Sequence, residues 1–204
     1  PPHTQEALPP HTQEARALVR STLAPLAGRL EELGEGALSL VVKTLGVRCS
    51  ESLTAVGALP SQYRMTNRPP PSKASAYAVA SLAPLRLALS PAGALAPLQS
   101  ELRTHVVEGV VSAVAVRFRE LSEDVFASVR KLQQTLKKLN KEGAPGAAMS
   151  DAAKIHLQVL LDVEEVVRQT EELGGVPEAL PPLSSLLQIV KDAASDQPLP
   201  SPAR

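Results

Sequence analysis

Apolar residues recur along most of this chain at intervals of three and four positions, which places them on one face of an α-helix. One such series comprises Phe118, Leu121, Val125, Val129, Leu132, Leu136 and Leu139. A second series comprises Ile155, Val159, Val163, Val166 and Leu173. With each residue advancing about 100°, the first series occupies a stripe only about 80° wide. Narrow stripes of this kind are typical of helices that pack against other helices.

These two helical segments carry opposite charge. Residues 117–141 hold seven basic and three acidic side chains, whereas residues 150–173 hold two basic and six acidic ones. The turn between them is short and rich in glycine and alanine. Two amphipathic helices of opposite charge joined by such a turn are expected to fold back on each other, so the sequence predicts an antiparallel helix hairpin.

Proline, glycine and helix-capping residues divide the chain. We expect one helix to begin near Glu14 and to end at Gly34 and Gly36, and another to begin at Ser90-Pro91. Ser150 is a predicted N-cap, and Gly174 is a predicted helix terminator. The predicted division is a disordered lead-in at 1–13 that contains a duplicated PPHTQEA, a helical segment at 14–66, a proline-rich connector at 67–72, a helical bundle domain at 73–195 and a disordered tail at 196–204.

Composition favours the same fold class. Leucine (31) and alanine (29) make up much of the 204 residues, while four side chains are aromatic. Leucine and alanine are strong helix formers, and sheets prefer β-branched and aromatic residues, so we predict an all-α protein, an elongated helical bundle or rod. The formal net charge is zero, which gives no electrostatic support for nucleic-acid binding. A single cysteine argues for a reducing compartment.

Few residues suggest chemistry. Glu101, His105 and Glu108 share one helical face and could form part of a metal site, although such sites need ligands from several helices, so a solvated face is favoured. His156 is interpreted as a helix-surface histidine, and Cys49 as a structural or free thiol. We find no phosphate loop, nucleophile elbow or metal-ligand cluster in the sequence, and predict no enzyme, no catalytic, cofactor-binding or metal residues, and no cofactor.

One block of sequence is more particular than a generic helical linker. Residues 63–85, YRMTNRPPPSKASAYAVASLAPL, together with residues 129–141, 149–174 and 183–198, resemble subunit 2 of the conserved oligomeric Golgi complex in the same order. The resemblance extends over roughly residues 35–198. It implies a helical-rod subunit of a peripheral complex on the cytosolic face of Golgi membranes, which tethers vesicles in retrograde traffic. The implied partners are the other subunits of that complex, SNAREs and small GTPases.

A different class of function is also open. Arg130, Lys131, Lys137, Lys138 and Lys141 lie on the side of their helix opposite the apolar stripe, and a basic amphipathic helix can bind a membrane surface directly. Helices of that kind usually carry bulky aromatic residues at the boundary between lipid and water, and this chain has few. The pattern therefore favours a non-catalytic structural subunit that acts through protein–protein contacts, with an amphipathic membrane-surface protein as the alternative.

Overall fold

The regular structure of this protein is helical throughout the part of the chain that its computed structural model describes, residues 10–64, 66, 68–138 and 149–195. The elements in chain order are α1 (Pro10–Ser50), a 3₁₀ helix (Glu51–Ala58), α2 (Leu59–Tyr63), α3 (Ala76–Ser81), α4 (Ala83–Leu89), α5 (Ser100–Lys138), α6 (Asp151–Glu172), a second 3₁₀ helix (Pro177–Ala179) and α7 (Pro181–Ser195). These described ranges contain no β-strand. The all-α fold class is confirmed.

The chain forms two compact units, one extending to Val41 and the other beginning at Val42. The first unit consists of the greater part of α1. The second contains all the remaining helices. The predicted domain limits stay a prediction, and residues 1–9 of the predicted lead-in at 1–13 and the whole tail at 196–204 lie outside the described residues.

The sequence prediction for the first helix was wrong at both ends. α1 begins at Pro10, four positions before Glu14, and continues through Gly34 and Gly36 to Ser50. A glycine inside a helix costs about 1 kcal/mol relative to alanine, which weakens a helix without ending it. Pro25 also lies inside α1. Local glycine and proline signals therefore did not outweigh the general helical propensity of this segment.

The segment between α4 and α5 also differs from the prediction. Residues 90–99 form turns, and α5 begins at Ser100 instead of at Ser90-Pro91. The Leu95 N–H donates to the Ala88 carbonyl at 2.9 Å, which folds the turn back onto the end of α4. A side chain on Gly93 would collide with the carbonyl groups of Leu87 and Ala88, so this turn requires glycine.

The core of the second unit is built mainly from α5, α6 and α7. Among its buried apolar residues are Val107, Val110, Val114, Phe118, Val125, Val129, Val159, Val163, Val166, Leu183 and Leu186. The buried face of α5 is wider than the predicted stripe, because α5 packs against α7, the first 3₁₀ helix, α2 and α4 as well as against α6. Leu132, which the stripe includes, is half-buried.

α5 and α6 are antiparallel, as predicted. Phe126 on α5 contacts His156 near the start of α6, with ring centroids 4.6 Å apart. At the other end, Val107 near the start of α5 lies against Gly175, which follows α6. The hairpin is not a simple two-helix pair, because α7 packs against both of its helices. The turn at 142–148 lies outside the described residues.

Both ends of α6 form as the sequence predicts. The Ser150 hydroxyl accepts a hydrogen bond from the Ala153 N–H at 3.1 Å and caps the first turn. At the other end, Gly174 has φ of 83° and the Gly175 N–H donates to the Thr170 carbonyl at 2.9 Å. Glycine adopts this left-handed conformation without the steric penalty that a side chain brings.

Replacing Gly174 by alanine is expected to lower the free energy of unfolding by about 1 kcal/mol. A Cβ at this position would meet no atom within 4 Å, so the loss comes from the backbone conformation alone. Gly57→Ala is the matched control, since a Cβ there also meets open space and its φ is not in the left-handed region. Urea denaturation checks both variants. Equal stability of the two would contradict the assigned role of Gly174.

Candidate functional site

The most elaborate polar arrangement in the second unit surrounds the carboxylate of Asp162, in the middle of α6. This side chain is completely buried. Its Oδ1 accepts hydrogen bonds from the Ser75 backbone N–H at 2.6 Å and from Gln158 Nε2 at 2.9 Å. Its Oδ2 accepts from the Ser75 hydroxyl at 3.0 Å and from the Tyr77 hydroxyl. The carboxylate is thus enclosed by donors, and three of the four come from one short segment before and within α3.

A second layer of hydrogen bonds extends from Gln158. The Tyr63 hydroxyl donates to Gln158 Oε1 at 2.9 Å, and Gln158 Nε2 also donates to the Lys73 carbonyl at 3.1 Å. These contacts fix the orientation of the Gln158 amide, because its oxygen must face Tyr63 and its nitrogen must face Asp162. We call Tyr63, Ser75, Tyr77, Gln158 and Asp162 the Asp162 cluster.

The Asp162 cluster fastens the connector between α2 and α3 to α6. Residues 69–71 are consecutive prolines, which have no N–H and cannot continue a helix, so this segment relies on other groups to hold it in place. Tyr63 ends α2, and Ser75 is the N-cap of α3, with extended backbone angles of φ −70° and ψ 152°. Both ends of the connector are therefore bonded to side chains on two successive turns of α6.

Burial sets the protonation behaviour of the cluster. Desolvation raises the pKa of Asp162 above its ordinary value, while the hydrogen bonds donated by Tyr77, Ser75 and Gln158 act in the opposite direction. Burial, followed by the charge of Asp162, also raises the pKa of Tyr77 strongly, so the phenol keeps its proton and remains a donor. A completely buried carboxylate whose two oxygens each accept two hydrogen bonds is arranged to hold structure together, not to meet a substrate.

The raised pKa of Asp162 predicts a specific pH dependence. When the folded pKa of an acid exceeds the unfolded one, stability is fully present below the unfolded pKa and declines as the pH rises through the folded pKa. We therefore expect the contribution of Asp162 to fall as the pH rises from about 3.8, its ordinary value. The measurement is the free energy of unfolding of wild type minus that of Asp162→Asn between pH 3.5 and pH 7. A difference that stays flat or rises with pH would contradict the raised pKa.

The residues that the sequence singled out for chemistry lie on three helices: Cys49 on α1, the Glu101 group on α5 and His156 on α6. Glu101 and His105 are exposed and Glu108 is half-buried, in the first turns of α5. Within the described ranges, no three histidine, cysteine, aspartate or glutamate side chains come together as a metal site would require. Cys49 is a buried free thiol, and burial raises its pKa to about 11, so it is an inert thiol at neutral pH.

The interpretation of His156 as a surface residue was wrong. Its side chain is 4% exposed and its ring packs edge-on against Phe126. The residue lies beside the apolar series of α6, and it is buried because α3, α5 and α7 all pack against this helix and cover several of its faces. The same reason explains the burial of polar residues on α6, among them Lys154, Gln158, Gln169 and Thr170.

Part of the predicted basic face can be described. Arg130 and Lys131 are exposed, while the side chains of Lys137 and Lys138, and all of Lys141, lie outside the described residues. The ion pairs of the described chain include those of Arg168 with Glu165 and Glu172 within α6. Arg86 of α4 pairs with Glu172 of α6 at 3.3 Å. The matching of charge between α5 and α6 stays a prediction.

Sequence reasoning did not identify Asp162 as a special residue, although a signal was present. Ile155, Val159, Asp162 and Val166 follow the i, i+4, i+7, i+11 spacing of one helical face, so this aspartate stands within the apolar stripe. An acidic residue on a buried stripe must find donors elsewhere. Three of the four groups that donate to Asp162, from Ser75 and Tyr77, lie in the block at 63–85, which is part of the sequence that carried the family resemblance.

The fold and this site define an all-α helical domain whose proline-rich connector is held on a central helix by a buried polar cluster. Comparison with known proteins identifies the family: residues 2–163 match the model described as COG complex component, COG2, C-terminal. This chain belongs to that family, which confirms the resemblance seen in the sequence.

Individual relatives agree. The chain is 32% identical over 167 residues to conserved oligomeric Golgi complex subunit 2 of Homo sapiens, a match that covers 78% of this chain and 22% of that protein. It is 32% identical over 152 residues to the subunit of the same name from Arabidopsis thaliana, covering 70% of this chain and 20% of the relative. The chain thus spans about a fifth of the length of these relatives. No solved structure matches it.

Proposed function

We propose that this chain acts as part of a non-catalytic structural subunit of the vesicle-tethering complex at the Golgi, and that it supports intra-Golgi retrograde transport and Golgi organisation through protein–protein contacts. The observation that carries the proposal is the family match over residues 2–163, most of the chain. The relatives in human and Arabidopsis bear the name of subunit 2 of the conserved oligomeric Golgi complex. The Asp162 cluster is consistent with a scaffold, because its polar groups hold helices together.

The proposed partners are the other subunits of that complex, and the proposed location is peripheral, on the cytosolic face of Golgi membranes. SNAREs and small GTPases are proposed as further partners on the sequence resemblance alone. Within the described residues, no helix combines the length and the apolar character that crossing a membrane requires. A peripheral location would then depend on contacts with proteins that are already bound to the membrane.

Affinity purification of the full-length protein that contains this chain tests the proposal. The co-purifying chains are identified, and Golgi membranes are washed with high salt and with alkali. We expect the other subunits of the complex to co-purify and the protein to be released by the washes without detergent. Purification without any of those subunits, or release only by detergent, would contradict the proposal.

Direct lipid binding by this chain is expected to be weak. The formal net charge is zero, and the basic face around Arg130 lies on a helix that packs against α6, where acidic residues outnumber basic ones. Opposite charges within about 8 Å compensate each other even at physiological salt. Flotation of the chain with anionic liposomes should therefore recover little protein in the lipid fraction.

Charge reversal is the matched control for that experiment. The triple variant Lys137→Glu, Lys138→Glu, Lys141→Glu should float as poorly as wild type. Clear flotation of wild type that this variant loses would instead favour the alternative function, a membrane-surface protein that uses its basic amphipathic helix.

A further inference from the structure

An apolar seam runs along the part of α1 that forms the first unit. Its members are Val19, Leu23, Leu26, Leu30, Leu33 and Leu40. With Ala37 they are spaced by 4, 3, 4, 3, 4 and 3 positions, so they fill seven consecutive a and d positions of a heptad repeat. Each of the six larger side chains is more than half exposed. We call this set the α1 seam.

A strict a and d repeat is a specific geometric signal. It makes a seam of knobs that fit the holes of a second helix with the same repeat, and it is narrower than the face by which a helix joins a globular core. Leucine occupies five of the seven positions, which also favours packing against apolar side chains. The occupant that fits this surface is therefore another α-helix.

The residues that flank the α1 seam indicate the charge of that helix. In this register the e and g positions include Arg20 and Arg29, together with small residues such as Ala27, Gly34 and Gly36. The acidic residues of the segment, Glu31, Glu32 and Glu35, stand at the b, c and f positions, away from the seam. The charges beside the seam are thus basic. A second copy of this chain would bring arginine and no acidic residue to the same flanks.

We infer that the α1 seam binds an α-helix of a partner protein that carries apolar residues at its a and d positions and glutamate or aspartate at its flanking positions. The inference rests on the proposed function for the class of partner, a protein and not a lipid, and adds the surface and the recognition chemistry. Gly34 and Gly36 beside the seam have no side chain to hold a partner backbone away, and the space around both positions is open.

The composition of α1 agrees with a helix that is completed by its partner. Pro25 and three glycines lie in the part of α1 that belongs to the first unit, and each lowers the stability of an isolated helix. Most helical stability in proteins comes from packing of the apolar face, and this face is exposed. Binding of the partner helix should consequently increase the helical content and the hydrogen-exchange protection of this segment.

The test uses the 204-residue chain and two synthetic four-heptad helical peptides. Both peptides carry leucine and isoleucine at a and d; one has glutamate at every e and g position, and the other has lysine there. We expect the glutamate peptide to bind roughly three- to fivefold more tightly in calorimetry, the preference that two exposed ion pairs supply. The double variant Arg20→Glu, Arg29→Glu should reverse this preference, and Leu26→Asp, Leu33→Asp should abolish binding of both peptides.

Several results would overturn the inference. One is equal binding of the two peptides, or no binding of either. Another is self-association of the chain in sedimentation equilibrium that Leu26→Asp, Leu33→Asp removes, since the occupant would then be a second copy. Attachment to anionic vesicles through the same leucines would make the occupant a lipid surface. Co-purification separates this failure from failure of the proposed function. If one of these results is obtained while the full-length protein still co-purifies with the other subunits, only the seam inference fails. If the full-length protein co-purifies with none of them, the proposed function fails.

Discussion

Replacing Asp162 by alanine is expected to lower the free energy of unfolding by about 3–5 kcal/mol. The substitution removes the acceptor of four hydrogen bonds from a completely buried position. The N–H and the hydroxyl of Ser75, the Tyr77 hydroxyl and the Gln158 amide would lose their shared acceptor inside the second unit. Relief from the cost of burying a charge offsets part of this loss, but the loss of the acceptor of four donor groups outweighs it.

Asp162→Asn separates the hydrogen bonds from the charge. An asparagine can keep its carbonyl oxygen toward the Ser75 N–H and Gln158 Nε2, while its NH₂ group donates to the hydroxyls of Ser75 and Tyr77, which can accept as well as donate. We expect a loss of about 1 kcal/mol or less for this variant at neutral pH, because the desolvation cost of the carboxylate disappears as well.

Urea denaturation followed by circular dichroism measures both variants, with Asp124→Ala as the control. Asp124 is an exposed aspartate on α5, and its replacement should change stability by less than about 0.5 kcal/mol. If Asp162→Ala were no more harmful than Asp124→Ala, the Asp162 cluster would have no structural role.

Phe118→Ala is the second substitution with a large expected effect, a loss of about 3–5 kcal/mol. Phe118 is the largest of the fully buried side chains. It lies on α5, which packs against α2, α4, α6, α7 and the first 3₁₀ helix. Truncation to alanine removes most of its buried apolar surface and leaves a cavity that the neighbouring helices can fill only in part.

The control on the same helix is Val116→Ala. Val116 is 37% exposed, two positions away and on a different face. Its truncation should cost about 0.5 kcal/mol or less, so the two variants should differ several-fold in their effect on the denaturation midpoint. Similar midpoints would show that the buried face of α5 has been assigned to the wrong residues.

Much of the fold could be predicted from the sequence because helical periodicity and capping are local properties. Phe118, Val125 and Val129 are buried as the stripe requires. The Ser150 hydroxyl caps the start of α6, and Gly174, which has no side chain, takes the left-handed conformation after its end. The burial of His156 could not be predicted from one helix, since it depends on how many neighbours surround α6. The continuation of α1 through Gly34 was missed because a weak helix position does not have to be a helix end.

The candidate site shows the same limit more clearly. The sequence showed Tyr63, Ser75 and Tyr77 only as members of a family motif without any predicted contact. It showed Asp162 only as one of several acidic residues on α6. The contact between Ser75 and Asp162 joins positions 87 apart in the chain, so no local pattern relates them. What the sequence did contain was an aspartate on an apolar stripe, which predicts buried donors without saying which ones.

A double-mutant cycle between Tyr77→Phe and Asp162→Ala tests most directly the claim that the Asp162 cluster holds the connector on α6. The account predicts that Tyr77→Phe costs about 1–3 kcal/mol in the wild-type protein. It should cost clearly less in the Asp162→Ala protein, which gives a coupling energy of about 1–2 kcal/mol. Ser184→Ala, whose hydroxyl donates to the Pro177 carbonyl well away from the cluster along the chain, should be additive with Asp162→Ala. Additivity of Tyr77→Phe to within about 0.5 kcal/mol would contradict the account.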